Sequence, residues 1–299
     1  MTTCALTMVY RDYWALSQWY AHYGDMLGAD RLYIVVHGPD DSVAARCPGA
    51  NIIHIPREDL TRFDRKRAQL LNSIAQGLRT VYRHVIQTDA DELICFDPAL
   101  YASLPAALDE TAIMPALFAL GMNLMEMPED RPIDPARPLG QQRRSVWLSG
   151  HYSKAFVTSG QADLMRHGVK VRDRPFREFE FVMPKGVYLV HLKFANLAAT
   201  RASDDVRQNV ATPKDGRDEG LPGDAWKYAP EDTRKLLAEH YARQPTDWDR
   251  AEAQAYPEIC ETHRRIRKVG VIKSRSLKWD TRPDIPDWMA AQLAPLPKT

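Results

Sequence analysis

Short apolar runs alternate along the first hundred residues with longer stretches whose apolar positions recur every three or four. CALTMVY (Cys4 to Tyr10) is rich in strand formers. Asp12 to Leu27 then repeats apolar residues at helical spacing, with Asp12 placed to cap the helix and Gly28 to end it. A second strand runs from Arg31 to Gly38, and a third from Asn51 to Pro56 after a loop containing Pro48 and Gly49. Arg65 to Tyr82 lacks proline and carries a helical pattern through Leu70, Leu71, Ile74 and Leu78 before leading into HVIQTDADELI. Strands joined through helices imply parallel crossovers, so the first half predicts an open α/β sheet with helices on both faces. Ligands of such sheets bind beyond the carboxyl ends of the strands, and the acids of DADE fall at such an end.

The middle is less regular. Thr111 to Met122 reads as a strand, Met127 to Arg144 as a proline-rich surface loop or mobile flap, and Ser145 to Val157 and Gly186 to Phe194 as strands again. Ala195 to Val210 has a helical pattern, and Ala211 to Trp226 is polar and glycine-rich, a candidate linker or lid. Glu231 to Gln244 predicts a further helix. Trp248, Trp279 and Trp288 predict that the tail packs back on the sheet, because three tryptophans are unfavourable in water. The expected division is a sheet domain over 1–210 and a linker plus C-terminal helical extension over 211–299.

Composition narrows the function classes. The 299 residues, 44% hydrophobic and 26% charged, are enough for a substantial core. Lys and Arg total 40 against 39 Asp and Glu, so there is no global basic field to gather nucleic acid or anionic lipid. The four cysteines, Cys4, Cys47, Cys95 and Cys260, form no CxxC pair, which favours reduced thiols in a cytoplasmic protein. No window approaches the ~18 apolar residues of a membrane span. The expectation is a soluble protein, with room for peripheral contact at the inner face of the membrane. The absence of GxxxxGK[ST] and GxGxxG removes the commonest NTPase and dinucleotide readings.

Asp89, Asp91 and Glu92 crowd three carboxylates into four positions. Like charges so close repel, which predicts a positive group among them. A hard divalent cation suits carboxylate oxygens, and Asp89 and Asp91 can converge on one ion if the backbone turns there. An isolated DxD is more often a polar turn, but this one ends an apolar strand, follows a helix with Arg65, Lys66 and Arg67, and precedes a buried strand interrupted by His191.

The run Met8 to Asp41, MVYRDYWALSQWYAHYGDMLGADRLYIVVHGPDD, resembles the opening of glycosyltransferases of the family 2 and family 92 type. RKRAQLLNSIAQGLRTVYRHVIQTDADELICF resembles their next signature, and HYSKAFV and VYLVHLKF two later ones, so that the resemblance spans residues 4–209. It implies a GT-A fold in which the DxD holds Mn²⁺ or Mg²⁺ against the diphosphate of a nucleotide-sugar donor. By position, Asp91 is then the direct metal ligand, His191 a further one, and Asp89 meets the donor ribose or sugar and the metal through water. Tyr10, Arg11 and Asp12 lie where relatives contact the nucleotide, Arg67 and Asn72 on the helix facing the same pocket, and Lys154 within reach of donor or acceptor. Glu92 is expected to cap or salt-bridge a neighbouring loop. Relatives often carry Asp or Asn after the second strand where this chain has His37, which leaves the base open between stacking and hydrogen bonding.

The resemblance does not supply the acceptor's base. Glu178 and Glu180 in RDRPFREFEFVMP would share a face if extended. Glu180 is preferred because Phe179 and Phe181 can shield it and raise its proton affinity, with His167 as an alternative. Trp14, Trp19, Tyr20 and Tyr23 are expected to pack on the sheet, HRRIRK (His263 to Lys268) to form a solvated helix face, and zinc is disfavoured for want of paired His/Cys spacing. The leading expectation is a metal-dependent, hexosyltransferase-like glycosyltransferase. It would move a sugar, with inversion, from a nucleotide-diphosphate donor, a UDP-sugar first, to a glycan or other acceptor hydroxyl, in surface polysaccharide or glycoconjugate synthesis. Two alternatives stand beside it: a GT-A-like sugar or nucleotide-sugar binding protein without catalysis, and a metal-dependent nucleotidyl- or phosphotransferase.

Overall fold

Strands β1 (Thr3–Val9), β2 (Leu32–His37), β3 (Asn51–Ile55) and β4 (His84–Gln87) form a sheet in the order β3-β2-β1-β4, parallel throughout. The computed structural model describes residues 3–58, 60–111, 114–172, 175–211 and 230–293. Between the strands run α1 (Tyr13–Leu27), α2 (Ser42–Arg46) and α3 (Phe63–Leu78). Strand periodicity sends alternate residues of β1 to opposite faces. Cys4, Leu6 and Met8 meet Leu71 and Ala75 of α3, while Ala5 and Val9 join Leu16, Trp19 and Tyr23 of α1. The expected α/β class, a parallel sheet flanked by helices, is therefore the observed one.

Helix α1 begins and ends as its sequence dictates. Asp12 Oδ1 accepts from the Ala15 amide at 3.4 Å, and Gly28 leaves the helix at φ 90°, a conformation strained for any residue with a Cβ. Trp19 and Tyr23 are completely buried, and the Trp19 indole donates to Thr88 Oγ1 at 2.9 Å. Truncating a buried tryptophan of this kind to Ala costs about 3–5 kcal/mol.

A second sheet, in the order β5-β12-β7-β8, is built from β5 (Glu92–Phe96), β7 (Leu120–Met125), β8 (Val146–Leu148) and β12 (Val187–Phe194). It is mixed, since β12 runs antiparallel to β5 and parallel to β7. Helix α4 (Leu104–Thr111) and the pair β6 (Ala116–Phe118) and β9 (Ala155–Thr158) flank it, and α5 (Leu197–Ala211) follows β12. The single strands expected over Thr111 to Met122 and Ser145 to Val157 are each two. The second breaks at a turn pressed so closely on β7 that a Cβ at Gly121 would lie 2.0 Å from the Tyr152 carbonyl carbon. Met127 to Arg144 is pinned rather than flap-like: buried Arg143 donates to the carbonyls of Ala195 and Arg131, at 2.8 and 3.0 Å.

Beyond α6 (Pro230–Tyr241) come β13 (Gln244–Thr246), α7 (Trp248–Thr262), β14 (Arg264–Ile266), β15 (Val271–Lys273), β16 (Thr281–Pro283) and α8 (Asp287–Gln292). The C-terminal part is thus not purely helical. Its β14 and β15 extend the hairpin of β10 (Ala162–Met165) and β11 (Gly168–Val171) into a sheet ordered β10-β11-β15-β14. Trp279 is buried, Trp248 and Trp288 pack against Tyr188, and Gln292 bonds both the N–H and C=O of Phe96, so the tail packs on the core. HRRIRK is a strand and a tight turn instead of a helix face, because β14 pairs antiparallel with β15. His263 packs on Phe118 and Phe181, and Arg265 donates to the carbonyls of Phe176 and Phe179. Of the candidate linker or lid, residues 212–226 lie outside the described residues. Among the described residues, no helix is long and apolar enough to cross a membrane.

Candidate functional site

Strand β4 stops at Gln87 and β5 starts at Glu92, so the DADE acids occupy a turn, as convergence of two aspartates one residue apart requires. The turn is closed twice: the Glu92 amide donates to the Asp89 carbonyl at 3.0 Å, and the Asp89 amide to Glu92 Oε2 at 3.1 Å. Three elements bring nitrogen to these acids. Arg67 of α3 pairs with Asp89; Lys154 Nζ lies 2.7 Å from Glu92 Oε1 and 3.6 Å from Asp89 Oδ2; His191 Nε2 lies 3.2 Å from Asp91 Oδ2. The crowded carboxylates are therefore matched by positive and hydrogen-bonding partners from helix, turn and strand.

The second sheet's register fixes His191. As the central strand, β12 places His191 opposite Glu92 on one side and Asn123 on the other. Its Nδ1 is 2.8 Å from Asn123 Oδ1, an oxygen that only accepts, so Nδ1 carries a proton and Nε2 faces Asp91. The Tyr152 ring stacks on the imidazole at 4.0 Å. A lone pair on Nε2 facing a carboxylate is repulsive unless a proton or a cation stands between them. Asp91, Glu92 and His191 each offer a ligand atom, all within 4.8 Å of one another, and two carboxylates with one imidazole suit Mg²⁺ or Mn²⁺. This cluster contains Glu92 beside the expected Asp91 and His191, while Asp89 pairs with Arg67 and lies 3.6 Å from Lys154 Nζ.

The electrostatics follow from the same contacts. Burial works against the charged form of Asp89, but Arg67 and then Lys154 outweigh it and hold its carboxyl well below the usual carboxylate range. Burial raises the proton affinity of Glu92, with Lys154 opposing and the two aspartates reinforcing. Burial also disfavours the Lys154 ammonium, yet Glu92 and Asp89 raise its pKa above the ordinary value.

These groups floor a cavity of about 250 Å³ at the carboxyl ends of β1, β2 and β4. In the cavity wall His37 stacks on Phe63 at 5.4 Å and 10°, and Arg57 lies 3.6 Å above the Tyr10 ring and 2.8 Å from His37 Nδ1. A guanidinium only donates, so His37 accepts at Nδ1 and carries its proton on Nε2. Burial, then Arg57 and Arg67, push its pKa down to about 4, so it is neutral near pH 7. Arg11, at φ 54°, holds a left-handed conformation at the cavity wall, a strained backbone of the sort that clusters at functional sites.

The structure brings most of the sequence candidates together. Tyr10, Arg11, Asp12 and His37 line the cavity with Arg67, Asp89, Asp91, Lys154 and His191, and His167 reaches it from the β10–β11 turn. Three do not line it. Asn72 turns away: its Nδ2 donates to the Leu164 carbonyl at 2.9 Å and its Oδ1 accepts from the Leu164 amide at 2.8 Å. Glu178 and Glu180 are exposed and Phe179 between them is buried, so Phe179 does not shield Glu180; the segment turns instead of extending, with the Glu178 amide donating to the Pro175 carbonyl at 2.9 Å. The His167 ring packs tilted against that of His151, with centroids 3.5 Å apart, and burial, then His151, push its pKa down to about 2, too low for an effective proton acceptor. Sequence reading missed Arg57, Phe63, Tyr152 and Arg166, which also line the cavity. Tyr152 stands inside HYSKAFV and was within reach; Arg57, Phe63 and Arg166 carry no local signal.

No protein-family model and no curated protein sequence matches the chain. Among solved structures, the mannose-1-phosphate geranyltransferase from Thermus thermophilus is similar at 15% identity, over 95% of this chain and 74% of its own, with a TM-score of 0.32. Likeness at that level assigns no activity.

Proposed function

We propose that this protein is a metal-dependent transferase of GT-A type that binds a nucleotide-diphosphate sugar and passes the sugar to an acceptor hydroxyl. One observation carries the reading: a carboxylate and imidazole cluster suited to a hard cation, buried cations and an aromatic slot share one cavity at the carboxyl ends of parallel strands. A cation held by Asp91, Glu92 and His191 would neutralise charge on the departing nucleoside diphosphate. Tyr10, Phe63 and His37 offer ring faces to a nucleobase, and the His37 Nε2–H is a fixed donor for a base acceptor such as a uracil carbonyl. Arg11 and Lys154 bring positive charge to the phosphates.

With Glu178 and Glu180 outside the cavity, inversion loses the base on which it rested, and stereochemistry is not part of the proposal. The same observation favours one second reading. In nucleotidyl transfer the nucleophile is a phosphate oxygen that is already ionised, so no general base is needed. A panel assay with Mn²⁺ separates them. UDP-, GDP-, dTDP- and CMP-sugars are scored for release of nucleoside diphosphate or monophosphate, and nucleoside triphosphates with sugar 1-phosphates for release of pyrophosphate. Turnover of one diphosphate sugar, lost in Asp91→Ala, supports glycosyl transfer. Pyrophosphate release overturns it in favour of nucleotidyl transfer, and donor binding without product in any arm leaves a binding protein.

A further inference from the structure

Lys154 is the least expected occupant of the cavity floor. Its side chain is 9% exposed, its ammonium touches Glu92 Oε1, and Glu92 is itself only 1% exposed. The other carboxylate oxygen, Oε2, accepts from the Asp89 amide. Both oxygens of Glu92 are therefore engaged inside the protein, one of them by a cation. An ion bound between Asp91, Glu92 and His191 would share the Glu92 carboxylate with the ammonium or displace it, and two cations on one buried carboxylate repel because little water screens them. Lys154 also lines the cavity that a phosphate group would enter.

We infer that Lys154 is a built-in counter-cation of the metal site: its ammonium competes with the divalent ion for Glu92 and is drawn off by the phosphate of the incoming ligand. This rests on the proposed function and deepens it. Metal and phosphate then bind with positive coupling, and the coupling is reciprocal, so a free divalent ion is held weakly until a phosphate ligand arrives. Arg67 does not substitute, because it is committed to Asp89.

The test is Lys154→Met, which keeps the length of the stem and removes the charge. Mn²⁺ binding without phosphate, and pyrophosphate binding in excess chelator without metal, are measured by calorimetry for the wild type and the variant. The expected result has opposite signs: Mn²⁺ affinity rises about tenfold or more while metal-free pyrophosphate affinity falls by a similar factor. A purely structural lysine would weaken both. Two affinities that fall together, or an unchanged Mn²⁺ affinity, overturn the inference while leaving the proposed function standing. Absence of Mn²⁺ binding by wild type and variant, with and without pyrophosphate, overturns both. If Lys154→Met does not fold, Lys154→Met/Glu92→Gln removes the buried charge left behind. That double variant is expected to keep the loss of pyrophosphate affinity, and wild-type affinity in it counts equally against the inference.

Discussion

Asn72→Ala tests what joins the β10–β11 hairpin to the sheet domain. Strand β10 is the outer strand of its sheet, and an antiparallel residue points its N–H and C=O to the same side. At Leu164 that side faces α3, where the Asn72 amide takes both groups, at 2.8 and 2.9 Å, as a neighbouring strand would. Asn72 is buried at 6% exposure and Leu164 is equally so. Alanine leaves two backbone groups without partners, each worth about 1–3 kcal/mol, and with one of them reaching water the loss comes to about 1–3 kcal/mol. Urea denaturation should show the midpoint falling with the m-value unchanged. Asn72→Asp keeps the acceptor for the Leu164 amide but sets a carboxylate against its carbonyl. Its deficit relative to wild type should shrink as pH falls and the acid becomes a donor. A loss under about 0.5 kcal/mol in Asn72→Ala, or a donor affinity that falls with stability untouched, would refute the structural role and restore Asn72 to the ligand.

Asn123→Leu removes the acceptor that holds the His191 tautomer, and should weaken Mn²⁺ binding about 10–100-fold by calorimetry in the presence of pyrophosphate, while circular dichroism stays native. Arg67→Met should destabilise by about 1–2 kcal/mol, below the value for a fully buried pair because Asp89 is 35% exposed. The folded pKa of Asp89 is depressed, so its contribution is complete above the unfolded value of about 4 and is lost as pH falls toward the folded pKa. Arg67→Met should accordingly lose less stability than wild type on acidification below pH ~4, and parallel acid unfolding curves would refute the pairing. Gly121→Ala would place a Cβ 2.0 Å from the Tyr152 backbone and drive the turn carrying Lys154 away. Thermal melting should show a loss above about 3 kcal/mol, and a wild-type melting temperature would refute the contact.

The boundaries of α1 and the four parallel strands were legible because each rests on local signals, an apolar period of 2 or 3.6, Asp12 as cap, and Gly28 as stop; the short α2, where a loop is expected between β2 and β3, was not. The DADE turn and its need for positive partners were legible too, since charge repulsion between neighbours in sequence requires no knowledge of the fold. The division of β8 from β9 was not, because its cause is the approach of Tyr152 to Gly121, 31 residues away in the chain.

Within the site, the residue types present and the strand ends that carry them follow from local sequence. Their partners follow from long-range packing. Asn72, on the helix that faces the cavity, bonds a strand edge instead, and Asp89 lines the cavity while paired with an arginine; Glu92, expected to cap or salt-bridge a loop, does so and joins the candidate metal cluster as well. Register across β12 put His191 between Glu92 and Asn123, and burial of Phe179 turned Glu180 outward. Residue type and local period are properties of neighbouring positions, whereas a side chain's partner depends on which distant segments the core packs beside it, and that choice is made by burial over the whole chain.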